Sequence, residues 1–129
     1  MPMIALTVPT GVLTDTRDLQ KTLAATLLKW EGAPETAFFR AQAWSRIDEV
    51  PAGEFAALGD EQPRFRVDVT VPDGALSPRR KEGLVKEVTE QVLAAAGLSA
   101  TDALRVWVLI HEQTEGTWVP VGPSCASRN

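Results

Sequence analysis

The chain repeats itself, and the repeat constrains its fold more than any other feature. Thr7-Val8-Pro9-Thr10-Gly11-Val12-Leu13-Thr14 matches Thr70-Val71-Pro72-Asp73-Gly74-Ala75-Leu76-Ser77 at five of eight positions, 63 residues apart. Further on the spacing is 65, pairing Leu19 with Leu84, Leu23 with Val88, Leu27 with Val92, Gly32 with Gly97 and Arg40 with Arg105. It returns to 63 at Trp44 with Trp107, Glu49 with Glu112, Gly53 with Gly116, and aromatic Phe55 with Trp118. A two-residue insertion before the second helix, offset by an equal deletion after it, accounts for both spacings. Chance does not give so collinear a set. The chain is therefore expected to be a single domain over 1–129, built of two copies of one unit. The halves run from about 1–60 and 61–122, joined near Ala57 to Pro63, with a tail over 123–129.

Each half carries the same series of elements. Residues 2–8 alternate as a strand, with Pro2, Ile4, Leu6 and Val8 on one face. Val-Pro-x-Gly makes the turn, since proline cannot continue a paired strand and glycine accepts positive φ. Thr14 is the expected N-cap of a helix running to about Glu31, with Leu19, Leu23, Leu27 and Trp30 as its apolar stripe. Gly32 ends it, Pro34 forbids its return, and residues 37–48 are expected to form the second strand. The other half repeats the order: strand 64–71, Ser77 as N-cap before Pro78, helix to Ala96, Gly97 as stop, strand 104–111. Strand, helix and strand in sequence imply a right-handed crossover between parallel strands. The expected fold class is α+β: two tandem β-α-β units forming a four-stranded sheet with both helices on one face.

Such a sheet leaves its other face uncovered. Phe38, Phe39, Trp44, Val106, Trp107 and Val108 fall in segments too apolar for a solvated face, so burial against other subunits is expected. Trp30 and Trp44 are expected in the core. The bulk properties narrow the function. At 129 residues the chain can bury roughly two-thirds of the surface its unfolded form exposes, without a disulfide or metal staple. A formal charge of -4 argues against a nucleic-acid partner. No apolar run approaches the ~20 residues that span a bilayer. One cysteine (Cys125) and one histidine (His111) leave no Cys/His cluster for a metal, so neither metal nor cofactor is expected. The start, Met1-Pro2-Met3-Ile4-Ala5, lacks the basic segment of a secretory signal, which makes the expected location cytoplasmic.

Met1-Pro2 opening a strand, a Val-Pro-x-Gly-x-Leu-Thr/Ser turn into a helix, and the closing run Ile110-His111-Glu112-Gln113-Thr114-Glu115-Gly116-Thr117-Trp118-Val119-Pro120-Val121-Gly122 resemble the tautomerase superfamily. That superfamily includes 4-oxalocrotonate tautomerase, malonate semialdehyde decarboxylase, the 3-chloroacrylic acid dehalogenases and macrophage migration inhibitory factor. The resemblance covers nearly the whole chain, and its duplicated length resembles the long members, which assemble as trimers. It implies a homotrimer in which Pro2, exposed by removal of Met1, is the catalytic base. The implied reaction is keto–enol interconversion of a small 2-oxo acid, a carboxylate substrate. Hydration, dehalogenation or decarboxylation of a short oxo or unsaturated acid is the alternative; a catalytically silent trimer is another.

The chemistry is sound in itself. A free proline is a secondary amine that accepts a proton when neutral, and α-amino groups titrate at about 7.7–8.0. Burial and nearby arginines lower that value toward the working pH. Without the resemblance, Pro2 would simply be a proline tolerated at the first position of a strand. The second half offers no further base, since Phe65 stands where Pro2 would and the nitrogen of Pro63 is acylated. Arg40 and Arg105 are the candidates to bind a carboxylate and stabilise a developing enolate, and Arg105 resembles the strand arginine of 4-oxalocrotonate tautomerase. Surface salt bridges are the competing account of both. Trp118 resembles the aromatic residue of the superfamily's C-terminal hairpin, which covers the pocket; a packing anchor is the alternative. The sequence departs from the pattern at Val12 and Leu13, where 4-oxalocrotonate tautomerase has an arginine. Between Val71 and Ser77 it lacks the arginine pair of malonate semialdehyde decarboxylase. Asp68, Glu49 and Glu112 are the candidate acids to work with Pro2. Arg64, Arg66 and Asp68 are expected opposite the helices, and Pro78-Arg79-Arg80-Lys81-Glu82 as a solvated first turn.

Overall fold

The computed structural model describes residues 2–118. Four strands, β1 (Met3–Pro9), β2 (Trp44–Val50), β3 (Phe65–Pro72) and β4 (Val106–Gln113), form one sheet in the order β2-β1-β3-β4. The outer pairs β1/β2 and β3/β4 are parallel, and the central pair β1/β3 is antiparallel. Helices α1 (Thr16–Glu31) and α3 (Pro78–Ala95) make the two crossovers, and a short helix α2 (Ala37–Gln42) precedes β2. The fold is the expected α+β arrangement of two β-α-β units with both crossover helices on one face.

Period-two alternation sorts the sheet. On the helix side Ile4, Leu6, Val8, Phe65, Val67, Val69 and Val71 are fully buried beneath Leu23 and Leu27 of α1 and Leu84, Val88 and Val92 of α3. The helices touch through a small polar seam: Gln91 donates to the buried Thr26 hydroxyl at 2.8 Å, and Trp30 Nε1 donates to Glu87 at 2.9 Å. Gly83 is required there, because a Cβ at that position would overlap the Trp30 ring.

On the open side, register aligns Trp44, Met3, Thr70 and His111 in one row, Arg46, Ala5, Asp68 and Leu109 in the next, and Asp48, Thr7, Arg66 and Trp107 in a third. Trp44 and Trp107 stand 65% and 69% exposed. Asp68 accepts from Arg66 at 3.1 Å and pairs with His111 at 2.8 Å. Burial pushes the Asp68 carboxyl up, but hydrogen bonds from His111 and Arg66 outweigh it and hold the group below its ordinary value.

Several expectations are corrected. Asp15, not Thr14, caps α1, its carboxylate accepting from the Asp18 amide at 3.0 Å. The expected strand over 37–48 is helix α2 followed by β2. The Thr36 hydroxyl accepts from the Phe39 amide and starts the helix, so Phe38, Phe39 and Arg40 are helical. The segment ahead of β4 is likewise a 3₁₀ helix, Ala100–Arg105, so Arg105 ends that helix rather than opening a strand. Trp44 is not in the core, whereas Trp30 packs against it. Arg80 is not part of a solvated turn: its Nη1 donates to the Glu31 carbonyl at 3.1 Å. Cys125 and the tail lie outside the described residues.

Candidate functional site

Pro2 is buried at the head of β1, in line with Ile4, Leu6 and Val8 and hence on the helix side. Its carbonyl accepts from the Trp44 amide at 3.1 Å. In an extended residue the nitrogen and carbonyl point to the same strand edge, so the nitrogen is directed toward β2 and the Ala41–Ala43 link rather than toward β3. The α1 crossover runs opposite to β1, which returns its C-terminus to the Pro2 end of the sheet.

That end gathers charged groups from three elements. Glu31 closes α1; burial raises its carboxyl from 4.5 to about 7, against the pull of the chain's positive amino terminus. Arg80 of α3 lies over Gly32, where φ is +71°, and satisfies the Glu31 carbonyl at the negative end of α1. Glu112 sits on the helix side, paired with Val71 in register and bridged by Lys81 at 2.7 Å. Sequence patterns do not point to Glu31. Its position before a terminating glycine is the only signal, and what raises its pKa is burial produced by the crossover.

The other candidate acids lie elsewhere. Asp68 belongs to the open face, and Glu49 stands near the opposite end of β2. The two arginines also part company. Arg40, on α2, lines a groove of about 720 Å³ between α1 and the α2–β2 segment, which reaches Ala43 and Ser45 near the start of β2. Arg105 is tied to Asp102 at 3.4 Å and adds to the positive charge that, with hydrogen bonds from Arg64 and Gln62, holds Asp60 below its ordinary value. It precedes Val106, which pairs with Phe65, so within one chain it lies about 20 Å from Pro2 along the strands. Trp118 is half-buried beyond the turn that follows β4, whose end Gln113 pairs with Pro72 at the Pro2 end. Within one chain the structure thus brings Pro2, Glu31, Arg80 and Glu112 to one end and leaves Arg105 at the other. Among the described residues there is no group of His, Cys, Asp and Glu that could hold a metal, and no helix long and apolar enough to cross a membrane.

No family model matches this sequence, and no curated protein matches it. Solved structures do match. A macrophage migration inhibitory factor homologue from Prochlorococcus marinus superposes with a TM-score of 0.75 at 18% identity, covering 93% of this chain and 96% of that one. A fused 4-OT symmetric trimer gives 0.74 at 19% identity, covering 98% and 99%. A member of the cis-3-chloroacrylic acid dehalogenase family gives 0.75 at 18% identity, covering 93% and 80%. The chain has the fold of the tautomerase superfamily.

Proposed function

We propose that this chain is a cofactor-independent, tautomerase-type isomerase in which Pro2, freed by removal of Met1, interconverts the enol and keto forms of a small 2-oxo acid. The observation that carries this is the buried Pro2 at the head of a central strand, its carbonyl and hence its nitrogen turned toward the start of β2. The neutral nitrogen takes the enol hydroxyl proton while C2–O becomes a carbonyl, and a proton is added at the former double-bond carbon. Glu31, whose pKa burial raises to about 7, is the candidate acid at the same end of the sheet. Arg40 attracts the substrate carboxylate. Trp118 closes the far side of the pocket.

The assembly is a homotrimer. The open face of the sheet, with its exposed Trp44 and Trp107, supports that reading, as does the fold it shares with fused 4-OT trimers. Arg105 reaches a substrate only from a neighbouring subunit, since its own Pro2 lies at the other end of the sheet. The protein is cytoplasmic and acts without metal, membrane or nucleic acid. Hydration or dehalogenation of a short unsaturated acid is favoured instead if Glu112, at the Pro2 end of the sheet, activates water.

Three measurements test this. The mass of the intact protein reports whether Met1 is removed, and retention leaves Pro2 as an amide with no basic nitrogen. Ketonisation of phenylenolpyruvate should be faster with the processed protein than in buffer. Equal rates would overturn the tautomerase reading, and a stable monomer in light scattering at micromolar concentration would overturn the trimer.

A further inference from the structure

The groove between α1 and α2 has an unbalanced charge. Arg17 and Lys21 enter it from α1 and Arg40 from α2, against a single carboxylate, Glu35. That leaves a surplus of two positive charges in a protein whose net charge is -4. None of the three cations makes an ion pair or hydrogen bond among the described residues. Between them lies an apolar floor of Ala24, Ala25 and Leu28. Unpaired cations around an apolar floor repel one another and gain by taking up an anion.

The duplication supplies an internal control. The equivalent groove of the second half, on α3, is smaller, about 340 Å³, and its Lys86 is balanced by Glu90. Glu82 stands where Arg17 does, Glu90 where Ala25 does, and Asp102 where Ala37 does. Asp102 clamps Arg105; Ala37 leaves Arg40 unclamped. The two acids beside the cations of the second half, Glu90 and Asp102, have alanines in their place in the first.

We infer that the α1–α2 groove is a binding site for a small organic anion carrying at least two negative charges, held by Arg17, Lys21 and Arg40. It lies on the helix side of the sheet, so burying the open face would leave it accessible, and Pro2 is not among its lining residues. The proline chemistry is not needed for this inference, although Arg40 serves both.

Calorimetric titration with inorganic pyrophosphate at fixed ionic strength tests it. Saturable binding at one site per chain is expected. Arg17→Glu or Ala37→Asp, which copy second-half residues into the first, should each weaken binding about tenfold, the loss of one charge-assisted hydrogen bond. Lys86→Glu, in the second groove, should leave binding unchanged. No saturable heat, or equal weakening by Lys86→Glu, would overturn the site. Heat is read rather than turnover, so a negative result leaves the Pro2 chemistry standing.

Discussion

Leu19, Leu23 and Leu27 of the first half and Leu84, Val88 and Val92 of the second occupy equivalent places, and all six are buried in one core. Elsewhere the halves have diverged. Pro2 corresponds to Phe65, which is 1% exposed and cannot offer an amine. Arg40 is unclamped where Arg105 is held by Asp102. Burial keeps the apolar positions alike, because a changed core volume is felt at once. Exposed positions tolerate change, so there one half can gain a site that the other lacks. The comparison teaches that duplicated units keep their core while their polar positions part, so that Pro2 and an unclamped Arg40 belong to the first half alone.

The largest expected effect separates the halves by chemistry. Blocking the Pro2 nitrogen, by acylation or by retaining Met1, should lower ketonisation by about 10²–10⁴-fold, the usual worth of a positioned base. Pro2→Ala leaves a primary amine and should cost less. Phe65→Leu, at the equivalent place, should leave the rate per folded chain nearly unchanged. A loss there as deep as at Pro2 would break the division of labour.

The next effect tests the likeness. Leu23→Ala and Leu84→Ala each empty a fully buried site in the shared core, and each should cost about 2–5 kcal/mol in denaturant unfolding. Similar costs are expected for the two, with a single transition, because the helices share one core. Two separate transitions would show that the halves unfold independently.

The repeat makes the core, the strand order within each half and the side of the helices legible, since these follow from period and connection. The segments before β2 and β4 are not legible. Phe38 and Phe39 look like a strand by composition, yet the Thr36 cap and the short link after Gly32 turn the chain into a helix first. Arg40 and Arg105 read as a pair, but their opposite fates depend on Ala37 and Asp102, residues with no motif of their own. Pro2 stands out as a candidate only through the superfamily resemblance, since a proline is tolerated at the start of any strand. Glu31 is not legible, because nothing local marks a carboxylate that the crossover will bury.

A smaller effect concerns pH. The pKa of Glu31 is raised to about 7 from 4.5, so the unfolded chain releases this proton at lower pH than the folded one. Its contribution to stability is full below the unfolded value and is lost as pH rises through the folded value. Urea midpoints measured between about pH 5 and about pH 8 should therefore fall more steeply in the wild type than in Glu31→Gln. The second half closes its helix with Ala95 and Ala96, neither of which titrates, so this slope belongs to the first half alone.

The smallest effect probes the clamp on Arg105. Asp102 and Arg105 lie three residues apart on a 3₁₀ helix, with side chains 23% and 26% exposed and a separation of 3.4 Å. Such a pair is worth about 0–1 kcal/mol, and Asp102 also accepts from the Ser99 amide, so Asp102→Asn keeps the cap while removing the charge. Stability should fall by less than about 1 kcal/mol. Freed of its partner, Arg105 should come to resemble Arg40, and the second half should gain a weak affinity for pyrophosphate. The ion pair accounts for the difference between the two arginines only if that affinity appears. If Asp102→Asn binds no more pyrophosphate than the wild type, the distinction lies in Arg17 and Glu82 instead, and Arg17→Glu becomes the variant that makes the halves alike.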